Sequence, residues 1–97
     1  MSVIHSLKID PIYFNAVVSG DKKAELRVND RDFKCGDFLL LREWDGVYKG
    51  SKLLVKVTHI LPLGIFSITS GWVVLSISPI NENDTQLIIN SHIEGEQ

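Results

Sequence analysis

Gly20-Asp21-Lys22-Lys23-Ala24-Glu25-Leu26-Arg27-Val28 is the stretch where the period of the chain changes, and that change decides the fold. Ahead of Gly20, the apolar residues Tyr13, Phe14, Val17 and Val18 recur at helical spacings. From Lys23 the period is two: Lys23, Glu25 and Arg27 point one way and Ala24, Leu26 and Val28 the other. A short helix therefore ends at Gly20, and a half-buried strand follows it. Asp10-Pro11 starts the helix, because an Asp side chain accepts from free first-turn amides and Pro is tolerated where no intrahelical donor is needed. Gly20 supplies the stop, giving a helix of about eight residues, or ~12 Å.

Outward from this junction the pattern is mostly extended. His5 to Ile9 alternates Leu7 and Ile9 against Ser6 and Lys8, a short first strand. Asn29-Asp30-Arg31-Asp32 and Cys35-Gly36-Asp37 are polar turns leading into Phe38 to Trp44, a nearly all-apolar strand. Asp45-Gly46 closes a turn before Tyr48, and Lys52 to Leu61 forms another strand, broken by Pro62 and Gly64. Residues 62–71 show no clear period, whereas Trp72 to Ile77 is a β-branched run expected as a central strand. After Pro79, Asn81 to Asp84 reads as a loop, Leu87-Ile88-Ile89 as an extra edge strand, and Glu94 to Gln97 as a frayed tail. The expected fold is mostly β (α+β): a small β-barrel over residues 1–79 with one N-terminal helix packed on it, and a C-terminal extension over 80–97.

The 97 residues, 44% hydrophobic and 23% charged, suffice for one domain and are too apolar for disorder. No apolar run approaches the ~18 residues that cross a bilayer, and Met1 to Ser6 lacks the basic-then-apolar order of a signal peptide. A single cysteine, Cys35, excludes an internal disulfide and suits a reducing compartment, so the expectation is a cytoplasmic protein without membrane association. All ten Lys and Arg residues lie between Lys8 and Lys56, but eight acids share that region, and the chain after Leu61 has four acids and no base. So small a local excess excludes a long phosphate-tracking face. Nucleic-acid binding, if present, takes the form of a local pocket.

Gly20 to Arg27, continued by Asn29 to Asp32, is the densest polar cluster. With Lys22 in the junction and Glu25 and Arg27 on one strand face, an ammonium, a carboxylate and a guanidinium can meet at one cavity mouth. There a Lys beside a carboxylate can transfer protons, or the set can fix a polar ligand. The commoner meaning of such a pattern is a solvated face with weak ion pairs. Cys35 reads as a small packed residue and His5 as a structural hydrogen-bonding group. His5, His59 and His92 have no metal-ligand spacing, so no metal site is expected, and the glycines form no phosphate loop, so no cofactor is expected.

The series His5-x-Leu7-Lys8-Ile9, Tyr13-Phe14, Gly20-x-Lys22-x-x-Glu25-x-Arg27-x-Asn29-Asp30-Arg31-x-Phe33, Gly36-Asp37, Leu41-Arg42-Glu43-Trp44, Tyr48-x-Gly50 and Val57-Thr58 resembles a small ASCH-like family. ASCH abbreviates activating-signal-cointegrator homology; the branch in question consists of bacterial and phage domains of unknown function. The resemblance runs from about Val3 to Ile77. It implies a PUA-like β-barrel with a cleft next to the first helix, in a superfamily mostly associated with RNA and modified bases. Some ASCH relatives hydrolyse the acyl group of N4-acetylcytidine with a Lys, a Thr three residues later and a distant Glu. Lys22 matches that Lys, whereas Glu25 stands where the Thr would be. A Glu has no hydroxyl for acyl transfer, so an enzyme built on Glu25 would use it as a base that activates water.

As binding groups, a Glu accepts from the exocyclic amine of cytosine, Lys and Arg hold phosphate or carbonyl oxygens, and aromatics stack on bases. Trp44, flanked by Glu43 and Asp45, and Tyr48 are the stacking candidates; Phe14, Phe33, Phe38 and Trp72 lie in apolar runs and read as packing residues. The expected function is binding of RNA or a nucleotide-like ligand in a small polar cleft lined by Lys22, Glu25 and Arg27, with Arg31, Arg42, Trp44 and Tyr48 near the rim. One alternative is an ASCH-type hydrolase of acylated nucleosides or RNA, in which Lys22 and Glu25 exchange protons. Another is a phage-type interaction factor that forms a homodimer or meets a host partner through Leu87 to Ile89.

Overall fold

The computed structural model describes residues 2–66 and 71–95. Five strands form one sheet: β1 (Ile4–Ile9), β2 (Ala24–Val28), β3 (Phe38–Trp44), β4 (Tyr48–Pro62) and β5 (Trp72–Pro79). Their spatial order is β1-β3-β4-β5-β2, with β1 parallel to β3 and every other pair antiparallel. Register shifts between Arg42 and Trp44 on β3 and between Val57 and His59 on β4 bend the sheet. The result is a mostly β, α+β half-barrel. Its core lies on the concave face, where Leu39, Leu41, Val55, Val57 and Leu75 are fully enclosed. As the β-branched run implied, β5 is an interior strand, flanked by β4 and β2.

Helix α1 (Pro11–Ser19) joins the two edge strands and sits where its caps predict. Asp10 Oδ1 accepts from the Ile12 amide at 3.0 Å, and Gly20 takes a left-handed φ of 87° that a side chain would strain. Phe14 and Val17 are buried, but Tyr13 and Val18 face solvent. The packing stripe is therefore narrower than the apolar spacing suggests.

One end of the sheet is fastened by Asp37, a carboxylate 3% exposed. Its Oδ2 accepts from the Lys34 amide at 3.0 Å and from His5 Nε2 at 2.9 Å, while Oδ1 accepts from the Val3 amide at 3.3 Å. Burial alone would raise the Asp37 pKa, but the hydrogen bonds from His5, Lys34 and Val3 outweigh it and hold the carboxyl below its ordinary value of 3.8. His5 thus has the structural role its sequence position suggested. Nearby Cys35 is exposed, not the small packed residue expected.

The C-terminal segment corrects another expectation. Leu87-Ile88-Ile89 is not an edge strand, because residues Glu82–Gly95 form a helix, α2. Asn81 Oδ1 accepts from the Asp84 amide at 2.8 Å and caps it. Among the described side chains of α2, Thr85, Ile88, Ile89 and His92 are half-buried, spaced i, i+3, i+4, i+7, so the β-branched pair lies on a helical stripe. His92 meets Phe38 edge-on at a centroid distance of 5.9 Å. Strand pairing between copies through this segment is excluded with the strand. Leu63–Phe66 forms a short 3₁₀ turn within the aperiodic connector, whose residues 67–70 lie outside the described residues. Of the expected frayed tail, Glu94 and Gly95 belong to α2, and residues 96–97 lie outside the described residues.

Candidate functional site

The edges of the half-barrel, β1 and β2, are not paired with each other. On β2 the alternation is as read from the sequence, but its charged side faces inward. Glu25 lies opposite Leu75 and Arg27 opposite Val73, both core residues, whereas Leu26 and Val28 are 55% and 44% exposed. Facing residues of an antiparallel pair share one face of the sheet, so Glu25 and Arg27 stand on the concave side. Among the described residues no strand closes the sheet opposite them, and the inward face of β2 opens into a seam.

Glu25 is 5% exposed and held by two cations. Lys22 Nζ donates to Glu25 Oε1 and to the Ala24 carbonyl, and Arg27 Nε donates to Glu25 Oε2 at 3.0 Å. Burial of the carboxylate is tolerated because both oxygens are paired. The fold of α1 places Lys22: beyond Gly20 the chain turns back, and the Lys22 amide donates to the Ala16 carbonyl at 2.9 Å. Two guanidinium groups then span the seam. Arg27 Nη2 donates to the Lys8 carbonyl at 2.7 Å and Arg31 Nη1 to the Ser6 carbonyl at 2.8 Å. They meet edge carbonyls of β1 that a neighbouring strand's amides would otherwise satisfy.

The seam holds a cleft of about 640 Å³, within the range of small-molecule sites. Lys22, Glu25, Arg27 and Arg31 line it together with Lys8, Asp10, Tyr13, Asp30 and Trp72. Four cations face three acids there, so the cleft is only weakly positive. A second, shallower hollow adjoins it, lined by Lys8, Ile9, Asp10, Trp44, Asp45 and Gly46. Lys8 Nζ lies 4.6 Å from the Trp44 ring centroid, and Arg42 Cζ lies 3.8 Å from that of Tyr48.

The residues singled out in the sequence therefore separate into two groups. Lys22, Glu25, Arg27 and Arg31 come together in the seam. Trp44 lines the second hollow, and Arg42 and Tyr48 stack on each other at the same end of the sheet without lining the seam cleft. Lys8 and Asp10, which line both hollows, were missed, although their position between the end of β1 and the start of α1 was legible. Trp72, which reads from the sequence as a packing residue, lines the cleft, and so does Tyr13.

Over residues 4–77 the chain matches the family described as Domain of unknown function (DUF3850), and it belongs to that family. A relative from Escherichia phage P2, described as an uncharacterized 12.9 kDa protein in the GpA 3′ region, is 41% identical over 64 residues. The matched segment is 65% of this chain and 59% of the relative, so the chain spans about three-fifths of that protein's length. The crystal structure of hypothetical protein PH0355 has a similar fold, with a TM-score of 0.53 and 22% identity over 82% of this chain and 100% of that one. Among the described residues no helix is long and apolar enough to cross a membrane.

Proposed function

We propose that the seam cleft binds a nucleotide of RNA and that the domain is an ASCH-type, PUA-like barrel. The observation that carries this reading is Glu25, a carboxylate buried in the wall of a ligand-sized cleft beside two cations, on a strand whose apolar side chains face outward. Each carboxylate oxygen has a second lone pair beyond the one its cation uses, so Glu25 can accept from the exocyclic amine of cytosine. Arg31 uses one donor on Ser6 and keeps others for carbonyl or phosphate oxygens. The small excess of positive charge fits contact with few phosphates and hence a shallow salt dependence. The lone exposed thiol of Cys35 fits a reducing cytoplasm.

Titration with cytidine 5′-monophosphate and with short RNA tests the reading. Lys22→Glu and Arg27→Glu weaken binding at least ten-fold, with thermal unfolding used to verify that each variant is folded. Unchanged binding in both would remove the proposed site. The Lys22–Glu25 contact also favours a second reading, a hydrolase acting on acylated nucleosides or RNA with Glu25 as the base for water. Incubation with N4-acetylcytidine and with short RNA separates the two readings. Product that disappears in Lys22→Ala supports the enzyme, and absence of turnover leaves the binding module.

A further inference from the structure

We infer that the site takes two consecutive nucleotides of single-stranded RNA, one base in the seam cleft and the next stacked on Trp44, with Lys8 serving the phosphate between them. This deepens the nucleotide reading of the seam cleft and rests on it. The two hollows lie at the end of β1 and share Lys8, Ile9 and Asp10, so a ligand that leaves one over that rim enters the other.

Their linings differ in emphasis. The seam sets Glu25, Arg27 and Arg31, which suit the edge of a base, beside Tyr13 and Trp72, whereas the second hollow sets the Trp44 indole against the Asp45-Gly46 turn, which suits a base's flat face. Asp45 also makes the second hollow unfavourable for a phosphate, which places the phosphate at the shared rim, where Lys8 stands beside Asp10. At that rim stands Lys8, an exposed side chain between buried Leu7 and Ile9. Its ammonium covers the Trp44 ring at 4.6 Å. A base that stacks on the indole displaces this ammonium and frees it for the linking phosphate, so stacking and charge neutralisation occur together. The Lys8 backbone is committed separately, its carbonyl accepting from Arg27, so changing its side chain leaves the bridge across the seam intact.

The test compares cytidine 5′-monophosphate with the dinucleotide pCpA, which adds one phosphate and one base. In wild-type protein pCpA binds on the order of ten-fold more tightly, the scale of one base–aromatic stack. The log–log salt slope also steepens by about 0.7, the increment for one added phosphate on a single strand. Trp44→Ala removes the gain and leaves binding of the mononucleotide unchanged, and Lys8→Gln removes the added salt slope. In wild-type protein pCpA quenches the indole emission beyond any change the mononucleotide causes, and Trp44→Phe abolishes that additional quenching. If the mononucleotide binds and pCpA gains nothing, or if the gain survives Trp44→Ala, the two-subsite proposal falls while the seam reading stands. If neither ligand binds, both fall.

Discussion

Glu25 and Asp37 are the two buried acids among the described residues, 5% and 3% exposed, and they are buried in opposite ways. Asp37 is met by two backbone amides and the His5 ring, groups fixed by the course of the chain around it. Glu25 is met by the ends of two long side chains, Lys22 and Arg27, each about a quarter exposed. The first arrangement resists exchange of partners because moving the donors means moving the backbone. The second is adaptable: a ligand can reach the carboxylate's remaining lone pairs as the long side chains shift, while Arg27 keeps its bridge to the Lys8 carbonyl. Burial alone does not distinguish a structural acid from a binding one; the stiffness of its partners does.

Asp37→Asn tests the structural side of this contrast and has the largest expected effect. Three donors converge on the two oxygens, and an amide nitrogen placed among them leaves at least one unpaired. The variant loses about 3 kcal/mol of stability in urea unfolding. Binding of cytidine 5′-monophosphate by the folded fraction stays unchanged. The same carboxylate gives a pH signature whose sign follows from its lowered pKa. Its contribution is present above the ordinary value of 3.8 and is lost as the pH falls through the lower native value. The stability gap between wild type and Asp37→Asn therefore narrows as unfolding is followed downward from pH 4. A gap that stays constant through the acid range would show that the hydrogen bonds do not favour the ionised form.

Removing α2 by truncation after Asn81 probes the same end of the sheet, since His92 packs on Phe38 and its Nε2 meets the Ser2 carbonyl. Loss of the half-buried Ile88 and Ile89 costs about 2 kcal/mol. Nucleotide binding is retained because none of the described α2 side chains lines either hollow. Glu25→Gln gives the converse result: affinity for cytidine 5′-monophosphate falls about ten-fold, while stability changes by about 1 kcal/mol, because Lys22 and Arg27 can be solvated. If Glu25→Gln unfolds the protein as readily as Asp37→Asn, the distinction between the two acids fails.

How far the sequence reached follows from the same physics. The caps of α1, the boundaries of β3 and the alternation on β1 and β2 were legible because each is local: Asp10-Pro11 and Gly20 act within one turn, and alternation is a property of a single strand. Which face of β2 turns inward was not local. It depends on β2 being an edge next to a seam, a property set by the strand order, so the common reading of a solvated charged face was the wrong one for Glu25. The α2 segment failed for another reason. Three adjacent apolar residues fit strand and helix alike, and only Asn81 at the cap together with the Thr85, Ile88, Ile89, His92 spacing distinguishes them. The grouping of Lys22, Glu25, Arg27 and Arg31 was within reach because they lie close in sequence. Trp44 and Lys8 meet only through the parallel pairing of β1 with β3, which no local pattern encodes.

Asp10 gives the smallest effect and the sharpest separation of structure from binding, because one side chain serves both. Its Oδ1 caps α1 through the Ile12 amide, and the residue lines both hollows. Asn caps a helix about as well as Asp, so Asp10→Asn keeps the hydrogen bond and changes stability by no more than about 0.5 kcal/mol in thermal unfolding, whereas Asp10→Ala loses about 1 kcal/mol. What Asp10→Asn removes is a negative charge at the rim where the linking phosphate passes. At solvent-exposed separations such a charge is worth under about 1 kcal/mol, so pCpA should bind roughly two- to four-fold more tightly to Asp10→Asn, most clearly at low salt. An unchanged pCpA affinity would mean that the phosphate does not cross the end of β1, and the ligand's path would have to leave the seam elsewhere.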